Sequence, residues 1–378
     1  MYEINPSNVN DTQHAIHGGK VFDFARAQHC AVEEVIDFSA NINPLGISPK
    51  AEAAIRENIQ HLIHYPDRFC TALRETLAQQ HRLKAGQLLI GNGSTELIHL
   101  IPRAFGFKNI LIPAPTFSEY ETAARLAGCG AHLLELEEKD SFQILPERLI
   151  DLIHQHKTNG IDALFLCNPN NPTGHLLPKK ALLPVVAAAF HEGISVIVDE
   201  AFIDYAPSES LIGEIPWYIN LIVVRNFTKF FSLPGLRIGY LAGGMQPVSQ
   251  IESIKPAWSV NHLAEVAALA SLADGDYIQK SLEQVEEERG YLTEMLGQIP
   301  GLTLFPSAAN FILFLLNKPL PDADELAKRL GPAKILIRSC ESFQGLGDRF
   351  VRIAVRSHKD NVLLVAQLRG ILQPGGAA

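Results

Sequence analysis

The chain has 378 residues, 47% of them hydrophobic, and a formal net charge of −9. This length exceeds one compact core and predicts a large domain with a smaller one, while the acidic balance and the lack of basic runs argue against nucleic-acid binding. Five cysteines without CxxC spacing argue against a disulfide framework or a metal site, and no apolar stretch reaches the ~18 residues of a membrane span. We predict a cytoplasmic protein, since residues 1–20 also lack the apolar core of a signal peptide.

Short apolar strands alternate with helical patterns from about residue 50 onward, after an N-terminal stretch that we expect to form an extended arm. The pattern predicts helices at 51–61, 71–81 and 94–105, and strands at 88–90, 109–113, 163–167, 194–199 and 221–224. Several of these strands lack polar alternation, which is typical of a mostly parallel sheet that helices cover on both faces. Right-handed crossovers then bring the loops after the strands to one edge of the sheet, where α/β proteins bind ligands.

The pattern changes after about residue 285 and predicts a small α+β domain. Its elements are a helix at 282–296, strands at 311–315, 335–337 and 350–355, and a closing helix at 359–372. We accordingly predict three parts: an arm with part of the small domain (1–45), a large domain (46–265) and a small C-terminal domain (266–378).

Lys229 follows the apolar run 221–224, with a hydroxyl directly before it at Thr228 and a guanidinium after it at Arg237. A lysine at a strand end beside phosphate-binding groups suits a Schiff base with pyridoxal phosphate. Asp199 ends another apolar strand, and a buried carboxylate there would stay ionised against a pyridinium nitrogen. The alternatives are a surface acid or a helix N-cap for Asp199, and an ordinary surface ion pair for Arg237.

Three further loops follow predicted strands and carry candidate cofactor contacts. Gly93, Ser94 and Thr95 open a helix whose free N–H groups suit a phosphate, although an ordinary turn capped by Ser94 fits the same pattern. Phe117 follows the next strand and either stacks on a cofactor ring or fills the core. Asn171 lies in a rigid proline-rich turn and either donates to a phenolate oxygen or belongs to a plain turn.

The order of these features, each beside a predicted strand, resembles that of fold-type I pyridoxal-phosphate enzymes of the aminotransferase class I/II superfamily, from about residue 17 to 370. The resemblance implies an α/β fold with a mostly parallel seven-stranded sheet in the large domain and a smaller α+β domain. It implies that Lys229 is the catalytic residue, which bonds the cofactor and later moves protons at the substrate α-carbon. The cofactor-binding residues that it implies are Gly93, Ser94, Thr95, Phe117, Asn171, Asp199, Thr228, Lys229, Arg237 and, from the partner subunit, Tyr65.

The resemblance also bears on assembly and contains one departure. A tyrosine that reaches the partner's cofactor phosphate, here Tyr65, implies a homodimer. Many members of the superfamily carry a tyrosine three residues after the aspartate, in contact with the ring hydroxyl, but this chain has Phe202 there. Phe202 can only pack against the ring, and Tyr205 is not at the matching position.

Within the superfamily, the chain resembles the decarboxylases that act on L-threonine O-3-phosphate in cobalamin biosynthesis, at residues 17–19, 37–46, 199–204, 337–340 and 351–357. The resemblance implies a small phosphorylated amino acid as substrate, with carbon dioxide and (R)-1-amino-2-propanol O-phosphate as products. A phosphate with an α-carboxylate requires several cationic donors. The substrate-binding residues that it implies are His17, Asn43, Asn171, Arg338, Arg352 and Arg356, and a solvated salt bridge is the alternative for each arginine.

Two alternatives stay open at this point. Histidinol-phosphate aminotransferases share the scaffold and the lysine, and the bond that stands perpendicular to the cofactor ring decides between loss of the carboxylate and loss of the α-hydrogen. A cofactor-binding transcription regulator is the non-catalytic alternative, against which the lack of a basic DNA-binding segment argues. We expect no nucleic-acid partner and no membrane partner.

Overall fold

The computed structural model describes residues 5–6, 18–155, 158 and 160–373, with side chains from residue 18 onward. The α-helices that build the fold are α1 (Val21–Ala27), α2 (Pro49–Asn58), α3 (Thr71–His81), α4 (Gly93–Phe105), α5 (Glu119–Leu126), α6 (Pro146–His154), α7 (Lys179–His191), α8 (Met245–Ile254), α9 (His262–Leu272), α10 (Gly275–Gly297), α11 (Ala323–Leu330) and α12 (His358–Leu372). The strands are β1 (Asn5–Pro6), β2 (Ile36–Asp37), β3 (Leu88–Gly91), β4 (Asn109–Ala114), β5 (Gly130–Glu135), β6 (Ala163–Cys167), β7 (Ser195–Asp199), β8 (Leu221–Asn226), β9 (Gly239–Ala242), β10 (Leu302–Leu304), β11 (Phe311–Leu316), β12 (Ile335–Leu336), β13 (Arg338–Ser339) and β14 (Phe350–Ala354). Within the described ranges, no helix combines the length and the apolarity that crossing a bilayer requires.

The large sheet has the strand order β1-β5-β4-β6-β7-β8-β9-β3. Strands β4 to β8 run parallel to one another, whereas β9 is antiparallel to both β8 and β3. The predicted seven-stranded, mostly parallel sheet is therefore confirmed for β3 to β9, and the two-residue strand β1 adds an eighth strand at one edge.

Strands β5 and β9 were not predicted, because their sequence signals are weak. Strand β5 begins and ends on exposed residues, and β9 is only four residues long and begins with Gly239. A Cβ at Gly239 would approach the backbone nitrogen of Ser94 to 2.6 Å and the carbonyl oxygen of Arg225 to 2.8 Å. Glycine is therefore required there, because β9 packs closely between the start of α4 and the end of β8.

Side chains of the central strands alternate between two apolar core layers, one on each face of the large sheet. Leu164 and Leu166 of β6 pack in one layer, and Phe165 packs in the other. In β7, Val198 and Ile197 divide in the same way. Because both faces are buried at a period of two residues, these strands are continuously apolar, and polar residues are confined to their ends.

The C-terminal part contains an antiparallel sheet of order β10-β11-β14-β13 and a separate parallel pair of β12 with β2. Helices α10, α11 and α12 share a third apolar core with these strands. The pairing of β2 with β12 docks the segment before α2 onto this smaller unit. The boundaries 1–45, 46–265 and 266–378 stay a prediction.

Candidate active site

A cavity of about 420 Å³ lies where the parallel strands β6, β7 and β8 end. Cys167, Asp199 and Asn226 are the last residues of these strands, and all three line the cavity. The predicted site residues that line it are Ser94, Thr95, Phe117, Asn171, Asp199, Thr228, Lys229, Arg237, Arg338 and Arg352. The structure thus brings together residues from the large sheet and from the sheet of the smaller unit.

Lys229 lies in a short turn after β8, and its side chain reaches into the cavity wall. The Oδ1 atom of Asn226 accepts hydrogen bonds from the backbone nitrogens of Thr228, at 3.0 Å, and Lys229, at 3.3 Å. Burial, reinforced by the positive charges of Arg352 and Arg237, lowers the pKa of Lys229 to about 8. A substantial fraction of the amine is therefore neutral near physiological pH, as a nucleophile or a proton acceptor requires.

Asp199 is buried beside a hydroxyl that the sequence analysis did not identify. Its Oδ2 atom accepts a hydrogen bond of 2.7 Å from Tyr120, and its Oδ1 atom accepts one of 3.0 Å from the backbone nitrogen of Ala201. Burial raises the pKa of Asp199 to about 6, while the bonds from Tyr120 and Ala201 and the charge of Lys229 oppose this rise. The only sequence signal for Tyr120 was its place in the same loop as Phe117. Because a buried tyrosine hydroxyl needs a hydrogen-bond partner, this position made Tyr120 a candidate to contact a polar group of the site.

The start of α4 forms a cradle for an anion with Arg237. Gly93 has φ +78°, and a Cβ at this position would lie 2.5 Å from the Nη2 atom of Arg237. The missing side chain therefore lets the guanidinium approach the free N–H groups at Ser94 and Thr95. Thr228 faces the same cavity, so a helix N-terminus, a hydroxyl and a cation converge as phosphate binding requires.

Arg338 and Arg352 place two guanidinium groups in the cavity from neighbouring strands, because β13 and β14 pair these two residues directly. Both residues are buried, at 7% and 5% exposure. Arg338 donates to the hydroxyl of Ser342 at 2.7 Å. Arg352 donates to the carbonyl oxygen of Ser39 at 2.8 Å and to the Oδ1 atom of Asn171. Its Nε atom has no hydrogen-bond partner among the residues that the structure describes.

These two arginines remain cations near neutral pH. Burial lowers the pKa of Arg352 to about 10, with a further lowering by the charge of Arg338, and burial also lowers the pKa of Arg338. The Cζ atom of Arg352 lies 5.4 Å from the ring centre of Phe311, and that of Arg338 lies 5.2 Å from the ring centre of Phe343. Aromatic rings at these distances stabilise both charges.

Asn43 does not line the cavity, although the sequence analysis predicts that it binds substrate. Its Nδ2 atom donates to the carbonyl oxygen of Phe230 at 2.8 Å and to the hydroxyl of Ser281 at 2.7 Å. Asn41, two positions earlier, lines the cavity instead, and its buried Oδ1 atom has no hydrogen-bond partner within the described part of the chain. The sequence signal for Asn41 was its presence in the same motif, which does not tell which asparagine faces the cavity.

The cavity lining also lacks three other predicted residues, Gly93, Arg356 and Tyr65. Arg356 donates from Nε to Asp360 at 3.1 Å and from Nη1 to the carbonyl oxygen of Asp37 at 3.0 Å. Tyr65 is 83% exposed, and its ring centre lies 5.1 Å from that of Trp258. His17 lies outside the described residues.

Phe202 lines the cavity at the position where many members of the resembled superfamily carry a tyrosine. Its ring packs edge-on against Phe311, with 5.0 Å between the ring centres. Tyr205 is not part of the lining, and its ring packs 5.1 Å from that of Phe230. The cavity wall at Phe202 is therefore apolar.

Comparisons with known proteins agree with this fold. Residues 33–368 match the family model for aminotransferase class I and II. The chain is 37% identical to the threonine-phosphate decarboxylase of Salmonella typhimurium over 361 residues, which cover 94% of this chain and 96% of that protein. It also matches the crystal structure of the histidinol-phosphate aminotransferase from Clostridium acetobutylicum (TM-score 0.82, 34% identity, 89% of this chain and 99% of that chain).

A third match is the crystal structure of L-threonine-O-3-phosphate decarboxylase from Porphyromonas gingivalis, with a TM-score of 0.79, 27% identity, and coverage of 89% of this chain and 99% of that chain. The family model spans more than half of the sequence, and the glycine cradle, the buried carboxylate and the lysine fit the phosphate, ring nitrogen and aldehyde of one cofactor. The chain therefore belongs to the aminotransferase class I and II family, an enzyme family that uses pyridoxal phosphate.

Proposed function

We propose that this protein decarboxylates L-threonine O-3-phosphate to (R)-1-amino-2-propanol O-phosphate and carbon dioxide, a reaction of cobalamin biosynthesis. The observation that carries the proposal is the direct pairing of Arg338 with Arg352 on β13 and β14, in the cavity that contains Lys229. Two buried cations suit a substrate with both a phosphate and a carboxylate. Similarity to proteins named threonine-phosphate decarboxylase supports the same reaction.

Pyridoxal phosphate, when bound, supplies an electron sink for negative charge that develops at the substrate α-carbon. In our proposal Gly93, Ser94, Thr95, Thr228 and Arg237 hold its phosphate, Phe117 packs on its ring, and Asn171 donates to its ring hydroxyl oxygen. Asp199 pairs with the ring nitrogen. Above its pKa of about 6 the carboxylate of Asp199 is ionised, and this negative charge would keep a proton on that nitrogen.

Arg338, Arg352 and Asn41 orient the substrate in this proposal. The two guanidinium groups would hold the α-carboxylate so that the bond between the α-carbon and the carboxylate is the one that breaks. The Oδ1 atom of Asn41 can only accept a hydrogen bond and would therefore meet a donor group of the ligand. The Nε atom of Arg352 and the Oδ1 atom of Asn41 are buried polar atoms that lack a partner among the described residues, so both are available to a ligand. Lys229, with its lowered pKa, returns a proton to the α-carbon.

Tyr65 supports a homodimer as part of the proposal. The residues around it form an exposed apolar surface, with Leu62 at 53%, Ile63 at 84% and Trp258 at 49% exposure. Exposed apolar patches of this kind mark association sites. We propose that this surface packs against a second copy of the chain, with Tyr65 near the phosphate of the partner's cofactor, and that the dimer works in the cytoplasm.

Histidinol-phosphate transamination is the second candidate function, which the similarity to the aminotransferase from Clostridium acetobutylicum favours. Parallel assays separate the two reactions. Threonine phosphate alone should release carbon dioxide over many turnovers, because decarboxylation regenerates the cofactor without a keto acid. Turnover of histidinol phosphate only with 2-oxoglutarate present, and no carbon dioxide from threonine phosphate, would replace our proposal with the aminotransferase.

A further inference from the structure

A second cavity, of about 280 Å³, lies behind the turn that carries Lys229. Asn226 lines both this cavity and the candidate active site, so the wall between them is thin at that residue. Side chains that border a void lose packing contacts on that side. Phe227, Phe230 and Phe231 pack around the Lys229 turn, and polar interactions within this cavity add to that support.

A buried ion pair in the second cavity connects the two loops that carry the candidate catalytic groups. Arg225 directly precedes Asn226 on β8, and its Nη2 atom donates to the Oδ1 atom of Asp204. The side chains of Arg225 and Asp204 are only 8% and 18% exposed. Asp204 lies in the loop that follows Asp199, so the pair joins the Asp199 loop to the Lys229 turn.

The position of this pair along the strands gives it a specific role. The β7–β8 ladder ends with Asp199 opposite Val224, and Arg225 is the next residue. Beyond this point the ion pair continues the link between the two segments through side chains. Catalytic groups must stay within about 0.5 Å of their productive geometry, so a link at the end of the ladder matters to the separation of the two groups.

The two charges of the pair support each other, since burial raises the pKa of Asp204 while the charge and the hydrogen bond of Arg225 oppose this rise. Burial lowers the pKa of Arg225, but the charges of Asp204 and Glu200 and the hydrogen bond to Asp204 outweigh it, so the pKa is raised overall. The Cζ atom of Arg225 lies 6.0 Å from the ring centre of Tyr240, whose hydroxyl lies 3.0 Å from the Nε2 atom of His81. Burial and the charge of Arg225 lower the pKa of His81 to about 4, so His81 is neutral and adds no competing cation.

We propose that Asp204 and Arg225 are a positioning pair that fixes the separation of Asp199 and Lys229 across the active site. This inference rests on the proposed function only in that Asp199 and Lys229 act on one bound cofactor. The pair touches neither cofactor nor substrate, so its effect passes through the backbone of the two loops. Loss of the pair should therefore alter the environment of the bound cofactor even when the fold is intact.

The test compares Asp204→Asn, Arg225→Gln, Arg225→Lys and the double variant Asp204→Asn/Arg225→Gln. Each single neutralisation leaves one member of the buried pair without its partner and should lower the melting temperature. The double variant removes both charges and should recover part of that loss, since the buried Glu200 also loses the charge of Arg225. Glu214→Gln is the matched control, because Glu214 pairs with Lys179 at 3.8 Å in a nearby loop and lines neither cavity. It should leave the cofactor measurements unchanged.

The deciding measurements are the dissociation constant of pyridoxal phosphate and the pH midpoint of its visible absorbance in the loaded protein. We expect the double variant, despite its partly recovered melting temperature, to bind the cofactor about 10-fold more weakly and to shift the midpoint by about 0.5 pH unit or more. Arg225→Lys keeps the positive charge but loses the planar guanidinium, so it should show smaller shifts in the same direction. For threonine phosphate, kcat should fall more than KM rises.

Cofactor affinity and absorbance at wild-type values in the double variant and in Arg225→Lys would overturn the inference and leave the pair a purely stabilising one. If single neutralisations prevent folding, these two variants still decide the question. Neither cofactor measurement uses threonine phosphate. Failure of the decarboxylase proposal would therefore appear separately, as a wild-type protein that binds the cofactor normally but releases no carbon dioxide.

Discussion

The hydroxyl of Tyr120 donates a hydrogen bond to the carboxylate of Asp199, with 2.7 Å between Oη and Oδ2. This bond opposes the effect of burial on Asp199, whose pKa lies at about 6. The tyrosine ring also packs edge-on against Phe117, with 5.6 Å between ring centres. One residue thus contacts both the candidate partner of the cofactor nitrogen and the candidate stacking residue.

Tyr120→Phe should raise the pKa of Asp199, because burial still disfavours the carboxylate while the opposing hydrogen bond is gone. A bond to a charged group contributes ~1.5–3 kcal/mol, so the acidic limb of kcat/KM should move up by about 1 pH unit or more. The measurement is a pH–rate profile with threonine phosphate. Tyr277→Phe is the control, since the Tyr277 hydroxyl lies 2.7 Å from the carbonyl oxygen of Gly46 and 3.0 Å from that of Phe230 and does not contact Asp199. An unmoved acidic limb in Tyr120→Phe would contradict this role.

The amine of Lys229 should titrate far below an exposed lysine in the cofactor-free protein. Burial and the charges of Arg352 and Arg237 hold its pKa at about 8, so its reactivity should rise between pH 7 and 9. Competitive acetylation, followed by mass spectrometry of the peptide that contains residue 229, measures this directly. Arg352→Gln removes one positive charge and should raise the pKa, which makes the amine less reactive at pH 7.

Arg356→Gln is the control for this titration, because Arg356 is not among the charges that shift Lys229. Its guanidinium is engaged with Asp360 and the carbonyl oxygen of Asp37. The titration midpoint of Lys229 should therefore stay at the wild-type value. A midpoint near that of an exposed lysine in the wild-type protein would show that the cavity does not desolvate the amine.

Asn41→Ala and Asn43→Ala should have opposite effects on stability and catalysis. Asn43→Ala removes two buried side-chain hydrogen bonds, so this variant should lose ~1–3 kcal/mol of unfolding free energy. Asn41 lines the cavity with a partnerless Oδ1 atom, so its variant should keep the melting temperature but raise KM for threonine phosphate. Thermal unfolding and steady-state kinetics on both variants test the assignment, which fails if Asn41→Ala has normal kinetics.

Arg338→Gln and Arg352→Gln should weaken substrate use strongly. Loss of a charge-assisted hydrogen bond costs ~1.5–3 kcal/mol, which corresponds to about a 10- to 150-fold drop in kcat/KM for threonine phosphate. Arg356→Gln, which removes a guanidinium outside the cavity lining, should stay within about 3-fold of the wild type. Equal losses in all three variants would indicate that Arg356 reaches the substrate as well, as the sequence analysis predicts.

The sequence predicted the parts of the fold that local patterns determine. The apolar runs that became β6, β7 and β8 are buried on both faces, so their strand character and their parallel arrangement follow from composition. The positions of Asp199 and of Lys229 at or just after strand ends follow from the same runs. These local features also located the cavity edge, because the carboxyl ends of parallel strands lie together.

Features that depend on side-chain direction were not predictable from the sequence. Asn41 and Asn43 belong to one motif, but the chain turns between them, where the backbone nitrogen of Ile42 bonds to the carbonyl oxygen of Ala40. Only the folded chain shows which of the two faces the cavity. Tyr120 and Arg225 likewise gain their roles from partners that lie far away in sequence, Asp199 and Asp204.

The central claim is that the Nζ atom of Lys229 bonds to the aldehyde carbon of pyridoxal phosphate. The most direct measurement is reduction of the cofactor-loaded protein with borohydride, followed by digestion and mass spectrometry. The reduced cofactor should be attached to residue 229, whereas Lys229→Ala should carry no attached cofactor and lack the visible absorbance band. Attachment to another lysine, or catalytic turnover by Lys229→Ala at the wild-type rate, would contradict it.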